Sequence, residues 1–326
     1  MTANEAVLSA YEFDGRGGGI LLGDDTLAQT LKSDTALAWA HLDATHPGAR
    51  AWLHENVGYL DQLILDALLA EETRPRVTEH ERGLLIILRG VNLNEDEEPE
   101  DMISIRLWID EHRIISMRRR RLKAVQDIRT RLEQGTGPKN SAEFLVMLAT
   151  RLFQRMEPVL IELDQRTDDI EEKIVEKPDA GCRHEIVDIR KKAIMLRRYI
   201  APQKDVISFL RVCDMNWVAG IHRRQLQEIH DRLTRYVEDL DAIRERAQIV
   251  KDELGNALAD RMNKNMYLLS IVAAVFLPLG FLTGLLGINV GGIPGADNDT
   301  AFWVVSGLCA GFVVSLTLIF RWLKWF

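Results

Sequence analysis

Two kinds of apolar pattern divide the chain. Residues 265–326 hold two long runs without an ionised side chain: Asn265 to Ala296 contains no Asp, Glu, Lys or Arg, and Thr300 to Phe320 is likewise uncharged. Each can supply the roughly 20 apolar residues that an α-helix needs to cross about 30 Å of hydrocarbon. Spans are expected at about 266–288 and 300–320, joined by the turn-rich loop NVGGIPGADND. Ahead of them the apolar residues fall into a heptad. Leu226, Leu233, Leu240, Ala247 and Leu254 recur every seven positions, and Ile229, Tyr236, Ile243, Val250 and Ala257 repeat the pattern three residues later. Two such columns make one packing face on a long helix. That helix is expected to run from about Trp217 unbroken into the first span. It would be on the order of 100 Å long and must lean on other helices over most of its length.

The first part of the chain reads as mixed α/β. Short apolar runs at 36–42, 83–88, 103–109 and 113–117 predict strands, and 51–72 and 122–134 predict helices. GTGPK (135–139) is a boundary signal. Helical segments at 142–175 and 184–212, joined by KPDAG, should pair antiparallel, with Pro158 and Pro202 kinking or interrupting them. The expected class is α+β: an α/β domain at 1–138, a helical domain and stalk at 139–264, and a membrane hairpin at 265–326.

Composition sharpens this picture. The 326 residues are 47% apolar and 28% charged, but the two classes are segregated rather than mixed. A net charge of −8 argues against nucleic acid as a partner and suits attraction of cations. Cys182, Cys213 and Cys309 have neither disulfide-framework nor zinc-finger spacing. No basic region followed by an apolar run marks a cleavable signal at the N-terminus. Arg261 and Lys264 precede the first span, and Arg321 and Lys324 follow the second. The loop between carries only Asp297 and Asp299, so both termini are expected in the cytoplasm. Trp303, Trp322 and Trp325 near the span ends suit the lipid interface.

Two spans cannot enclose a hydrophilic route, so a pathway would need several subunits around an axis. The smallest or most polar line along the first span is Asn263, Met266, Ser270, Ala273, Leu277, Gly280 and Gly284. Carried back along the helix, the Met266 column reaches Asp252, Glu245, Glu238 and Asp231, well away from the apolar seam. Rings of such carboxylates would concentrate cations at an inner mouth; a solvated outer helix face gives the same pattern. Gly287-Ile288-Asn289 closes the span. The Asn carbonyl could hydrogen-bond the water shell of a cation, although Gly-x-Asn is also an ordinary helix stop. Asp297 and Asp299 would form an external acidic collar or keep the loop in water. His222 and His230, about two turns apart, could help bind zinc, and surface histidines are the plainer reading. No nucleophile motif, hydrolase metal spacing or nucleotide fingerprint points to an enzyme.

At these residues the chain resembles the CorA superfamily of divalent-cation transporters, whose first span ends in a Gly-Met-Asn signature. Ile288 in its middle position, GGIPG (291–295), ETRPRV (72–77), GTGP (135–138) and RRYIAPQ (197–203) resemble the zinc-transporting ZntB branch. The resemblance implies a funnel-shaped homopentamer in the bacterial inner membrane, with a long stalk helix lining the pore and the second span as an outer ring. It places Asn263, Met266, Ala273, Leu277, Gly280 and Gly284 on pore-facing positions. It implies zinc as transported substrate, with no resident cofactor, and cadmium, cobalt, nickel or magnesium as further candidate ions. A magnesium or cobalt channel is the alternative, but magnesium handling goes with Gly-Met-Asn, which Ile288 changes. The first span offers no Cys, His or carboxylate to strip zinc of its water, so passage of the hydrated ion is expected. ZntB-type transport is associated with the proton gradient. Without an ionisable relay in the span, coupling would use cytosolic groups or pore water.

Overall fold

The computed structural model describes residues 3–81, 83–288 and 298–322. Apolar runs build a seven-stranded sheet from β1 (Val7–Phe13), β2 (Gly19–Leu21), β3 (Ala38–Asp43), β4 (Arg76–His80), β5 (Gly83–Gly90), β6 (Ile103–Ile109) and β7 (Arg113–Arg118). The order is β2-β1-β3-β7-β6-β5-β4, and every pairing is antiparallel except β3 with β7. Every residue of β6 is buried, which requires cover on both faces and explains why the run lacks polar alternation. One face packs its Leu85, Trp108, Ile115 and Met117 with Trp52, Leu53, Ile64 and Leu68 of the overlying helices. On the opposite face of the sheet, the Ser116 Oγ accepts from Trp39 Nε1 at 2.8 Å and lies 2.7 Å from His41 Nδ1. Burial holds the His41 pKa down at about 3.

The four expected strands are β3, β5, β6 and β7. Strands β1 and β2 are joined by a glycine-rich hairpin turn within GRGGG (15–19), where Gly15 and Gly17 take φ of 69° and 110°. The Asp14 carboxylate accepts from the N–H groups of Arg16 and Gly18 there.

The helices correct the expectation in two places. After α1 (Asp24–Lys32), the single helix expected over 51–72 is two, α2 (Ala49–Val57) and α3 (Gln62–Leu69). Asp61 starts the second by accepting from Leu63 N–H at 2.7 Å, an N-cap that the continuing apolar period masks. Next come α4 (Lys123–Glu133), α5 (Ser141–Gln154) and α6 (Glu157–Glu176), with Pro158 opening α6 as an interruption. Pro202 interrupts nothing: α7 (Cys182–Val212) runs through it. Proline costs a helix interior about 3 kcal/mol. Here buried Ile200, Val206, Ile207 and Leu210 anchor both sides of it, and buried Gln203 accepts from the backbone N–H of Arg89 at 2.8 Å. Ion pairs Arg166–Asp188 (3.0 Å) and Lys173–Glu185 (3.3 Å) record the expected antiparallel pairing of α6 and α7.

Helix α8 (Gly220–Leu286) is continuous, and α9 (Ala301–Trp322) follows. The heptad columns are the buried face of α8: Leu226, Leu233, Leu240, Ala247 and Leu254 are at most 3% exposed, with Ile229, Tyr236, Ile243 and Val250 buried beside them and Ala257 half-buried. Tyr236 Oη donates to Phe153 O of α5 at 3.4 Å, and Arg197 of α7 meets Asp241 at 2.7 Å. Arg246 clasps α6 through Asp164 (3.0 Å), Asp168 and both oxygens of Glu171 (2.8 and 2.9 Å). The chain divides into two compact units, Met1–Asp252 and Glu253–Phe326.

Candidate ion pathway

Within the second unit, the last part of α8 and all of α9 are long and apolar enough to cross a membrane. None of the most apolar stretch of either is buried, whereas the core helix of a soluble domain hides such a surface. Phe276, Phe281, Leu285, Phe302, Trp303 and Leu318 all stand exposed. This surface needs lipid or other copies of the chain to cover it. At the start of α9, Asn298 Oδ1 accepts from Thr300 N–H and Oγ1 at 3.0 and 2.8 Å.

Along the expected stripe, Asn263, Met266, Ser270, Leu277, Gly280 and Gly284 are exposed and Ala273 is half-buried. Ser270 Oγ donates back to Met266 O at 2.9 Å, so its lone pairs stay available to water. A Cβ added at Gly280 or Gly284 would meet nothing within 4 Å. Gly287 ends the helix with its N–H shared between Thr283 O (2.9 Å) and Gly284 O (3.2 Å), and Ile288 beyond it is half exposed. Asn289 and Asp297 lie outside the described residues; Asp299 is exposed. Sequence reasoning passed over two oxygen sources. Thr283 Oγ1 bonds back to Leu279 O at 2.9 Å. Pro278, inside the helix, has no N–H for the Ala274 carbonyl, which leaves a backbone oxygen without its helical partner in mid-span. Both were legible from residue type alone.

In the first unit the four carboxylates of the column behave as two kinds. Glu238 and Glu245 are exposed, and among the described residues neither joins an ion pair. The outer two are tethered. Gln227 Nε2 donates to Asp231 at 2.8 Å and Gln248 Nε2 to both oxygens of Asp252 at 3.0 Å. Each glutamine in turn accepts from an α7 arginine: Gln227 from Arg211, and Gln248 from Arg190 at 2.5 Å. The signal for this relay was the repeated Gln-x-x-x-Asp spacing on one helix. The Gln227 hydrogen bond, with His230 beside it, holds the Asp231 carboxyl below the usual carboxylate range. Asp239, next to the column, is shifted upward by burial and by the nearby Asp164 and Glu238 carboxylates.

His222 is buried, 6% exposed, rather than at the surface, and among the described residues its Nδ1 has no hydrogen-bond partner. His230 is half-buried with Nδ1 3.4 Å from Asp231 Oδ1. Among the described residues no three His, Cys, Asp or Glu side chains gather in a way that could hold a metal.

The model of the CorA-like Mg2+ transporter protein family matches residues 34–322. The divalent cation transporter CmaX of Pseudomonas aeruginosa is 40% identical over 98% of this chain and 96% of its own length. The zinc transport protein ZntB of Yersinia enterocolitica is 37% identical over 99% of this chain and 96% of its own. A solved structure of full-length CmaX superposes with a TM-score of 0.84, covering 98% of each chain at 40% identity. The match spans sheet, long helix and both apolar helices alike, and the chain belongs to the CorA-like Mg2+ transporter protein family.

Proposed function

We propose that several copies of the chain, five by resemblance to the family, surround a central pathway that carries zinc across the inner membrane. One observation carries this reading: a span left uncovered by its own chain bears a stripe of small and oxygen-bearing positions, with open space at Gly280 and Gly284. Such a stripe fits a wet axis better than lipid, and only neighbouring copies can close the circle. The stripe has no ligand able to replace zinc's water, so zinc passes hydrated, held by hydroxyl, amide and backbone oxygens. Gly287, Ile288 and Asn289 form the outer constriction and Asp297 and Asp299 the outer collar. Glu238 and Glu245 act as the free carboxylates that draw cations to the inner mouth, with both termini in the cytoplasm. Zinc is the cargo named for the Yersinia relative; the name of the family itself supports magnesium as the second reading.

Zinc uptake into proteoliposomes of the purified chain tests this directly. Uptake should fall strongly in Asn289→Ala and rise when protons are more concentrated on the side from which zinc enters. Magnesium in excess should compete weakly. Faster magnesium than zinc flux would select the second reading, and no flux of either ion would refute both.

A further inference from the structure

Two of the strings that carry the resemblance, ETRPRV and RRYIAPQ, lie far apart in sequence and meet at one cleft of the first unit. The cleft measures about 570 Å³ and is lined by Glu72 to Arg74 from the first string and by Arg198 and Tyr199 from the second. That volume is typical of small-molecule sites. Five arginines line it (Arg74, Arg89, Arg119, Arg120 and Arg198) against three carboxylates, Glu71, Glu72 and Asp101.

The floor of the cleft is built rather than solvated. Arg89 donates through Nε and Nη2 to Thr73 O (3.1 and 2.7 Å) and through Nη1 to Met102 O (2.8 Å). Its guanidinium lies 4.1 Å from the centre of the Tyr199 ring. Neutral carbonyls thus fix the Arg89 guanidinium, and among the described residues it joins no ion pair, although Glu72 and Asp101 lie near it. In the register of β5 and β6, Arg89 stands opposite Ser104, and Arg106 is the next β6 residue on the same face. Arg106 is fully buried, yet its acceptors are two more carbonyls, Ala70 O at 2.7 Å and Glu71 O at 3.2 Å. Both bonds use Nη2 and cap the end of α3, while among the described residues Nε and Nη1 have no partner. Burial, with Arg119 and Arg89 near by, pulls the Arg106 pKa down to about 10. Arg106 lies beneath the lining rather than in it, and a buried guanidinium without a carboxylate leaves its positive charge to act on the cleft above. At the rim, Arg74 and Arg198 are exposed, and among the described residues neither is ion-paired.

We propose that this cleft binds a small anion carrying a phosphate chain, with Arg74 and Arg198 closing on it over Arg89, and with the charge of Arg106 buried beneath. Guanidinium forks match phosphate oxygens in pairs. Several of them spread round a cleft of this size suit linked phosphates better than a single one. Inorganic pyrophosphate and a nucleoside diphosphate share that chemistry.

Calorimetric titration of the full-length protein in detergent, free of divalent metal, tests the site with pyrophosphate, ADP and orthophosphate. Pyrophosphate and ADP should bind saturably, and orthophosphate about tenfold more weakly or worse. Equal affinity for the first two assigns recognition to the phosphate chain, and tighter ADP adds a seat for the nucleoside; either supports the site. The double variant Arg74→Ala/Arg198→Ala, at exposed positions that the fold does not need, should weaken pyrophosphate by about tenfold or more. Lys123→Ala, in the neighbouring basic cleft, should leave it unchanged. Absence of saturable binding by every probe would overturn the proposal, as would equal losses in the Lys123 and the double variants.

Discussion

The two faces of α8 should respond oppositely to substitution. Leu240 sits in the seam at 0% exposure. Leu240→Ala deletes three buried carbons, worth about 2–3 kcal/mol in transfer free energy. The hole left between packed helices raises the loss towards about 5 kcal/mol. For a folding unit of this size each kcal/mol moves the midpoint by about 2–4 °C, so the melt should fall by roughly 5–15 °C. Glu238, two positions away, is exposed and forms no ion pair among the described residues. Its replacement by Ala should change stability by no more than about 0.5 kcal/mol. If its carboxylate faces the ion route, Glu238→Ala should instead slow zinc flux at low ionic strength and flatten its dependence on salt, because screening already removes that attraction at high salt. The assays are thermal melts in detergent and flux in liposomes at two salt concentrations. A Leu240→Ala protein that melts like the parent would refute the packing argument, and unchanged low-salt flux in Glu238→Ala would refute the electrostatic one.

Three further outcomes are expected. Gly280→Leu should abolish zinc flux in liposomes with the melting temperature preserved, since the added side chain meets nothing in its own chain but would enter a shared axis. Ser116→Ala should lower the melting temperature by an amount equivalent to about 1–3 kcal/mol, because it strands Trp39 Nε1 and His41 Nδ1 in a dry core. The pKa of Asp239 is higher folded than unfolded. Its ionisation therefore favours the unfolded state, a stabilising contribution present below the usual carboxylate range and lost as pH rises through the folded pKa. Asp239→Asn should raise the melting temperature at pH 7 relative to the parent, and the gain should vanish once the medium is acid enough to protonate the parent carboxyl.

What the sequence revealed follows from where each residue finds its partners. The seam of α8 was legible because a heptad is a local record of burial, and this chain supplies the surface that the heptad packs against. The runs that became β5, β6 and β7 were legible because burial on two faces removes polar alternation. β4 was missed because none of its five residues is buried, so its membership is written in the ladder to β5 rather than in its own side chains. The breaks misled in both directions: Asp61 ends an apolar period that looks continuous, while the packing around Pro202 overrides a residue that usually stops helices. The same logic separates the two candidate sites. Arg106 stood in ISIRLWI as a lone cation within an apolar strand, a pattern that already implied a buried charge wanting a counterion. ETRPRV and RRYIAPQ became a cleft only when the sheet and α7 brought them together. The pathway stripe is the opposite case. Its residues were found by spacing, yet the single chain leaves all but Ala273 exposed, so whatever covers them lies outside this chain. A face that its own chain leaves bare across a hydrophobic span must be answered by lipid or by its own repeat. Small residues and a back-bonded serine on that face are poor partners for lipid and good ones for water, which is the physical reason to propose the axis there.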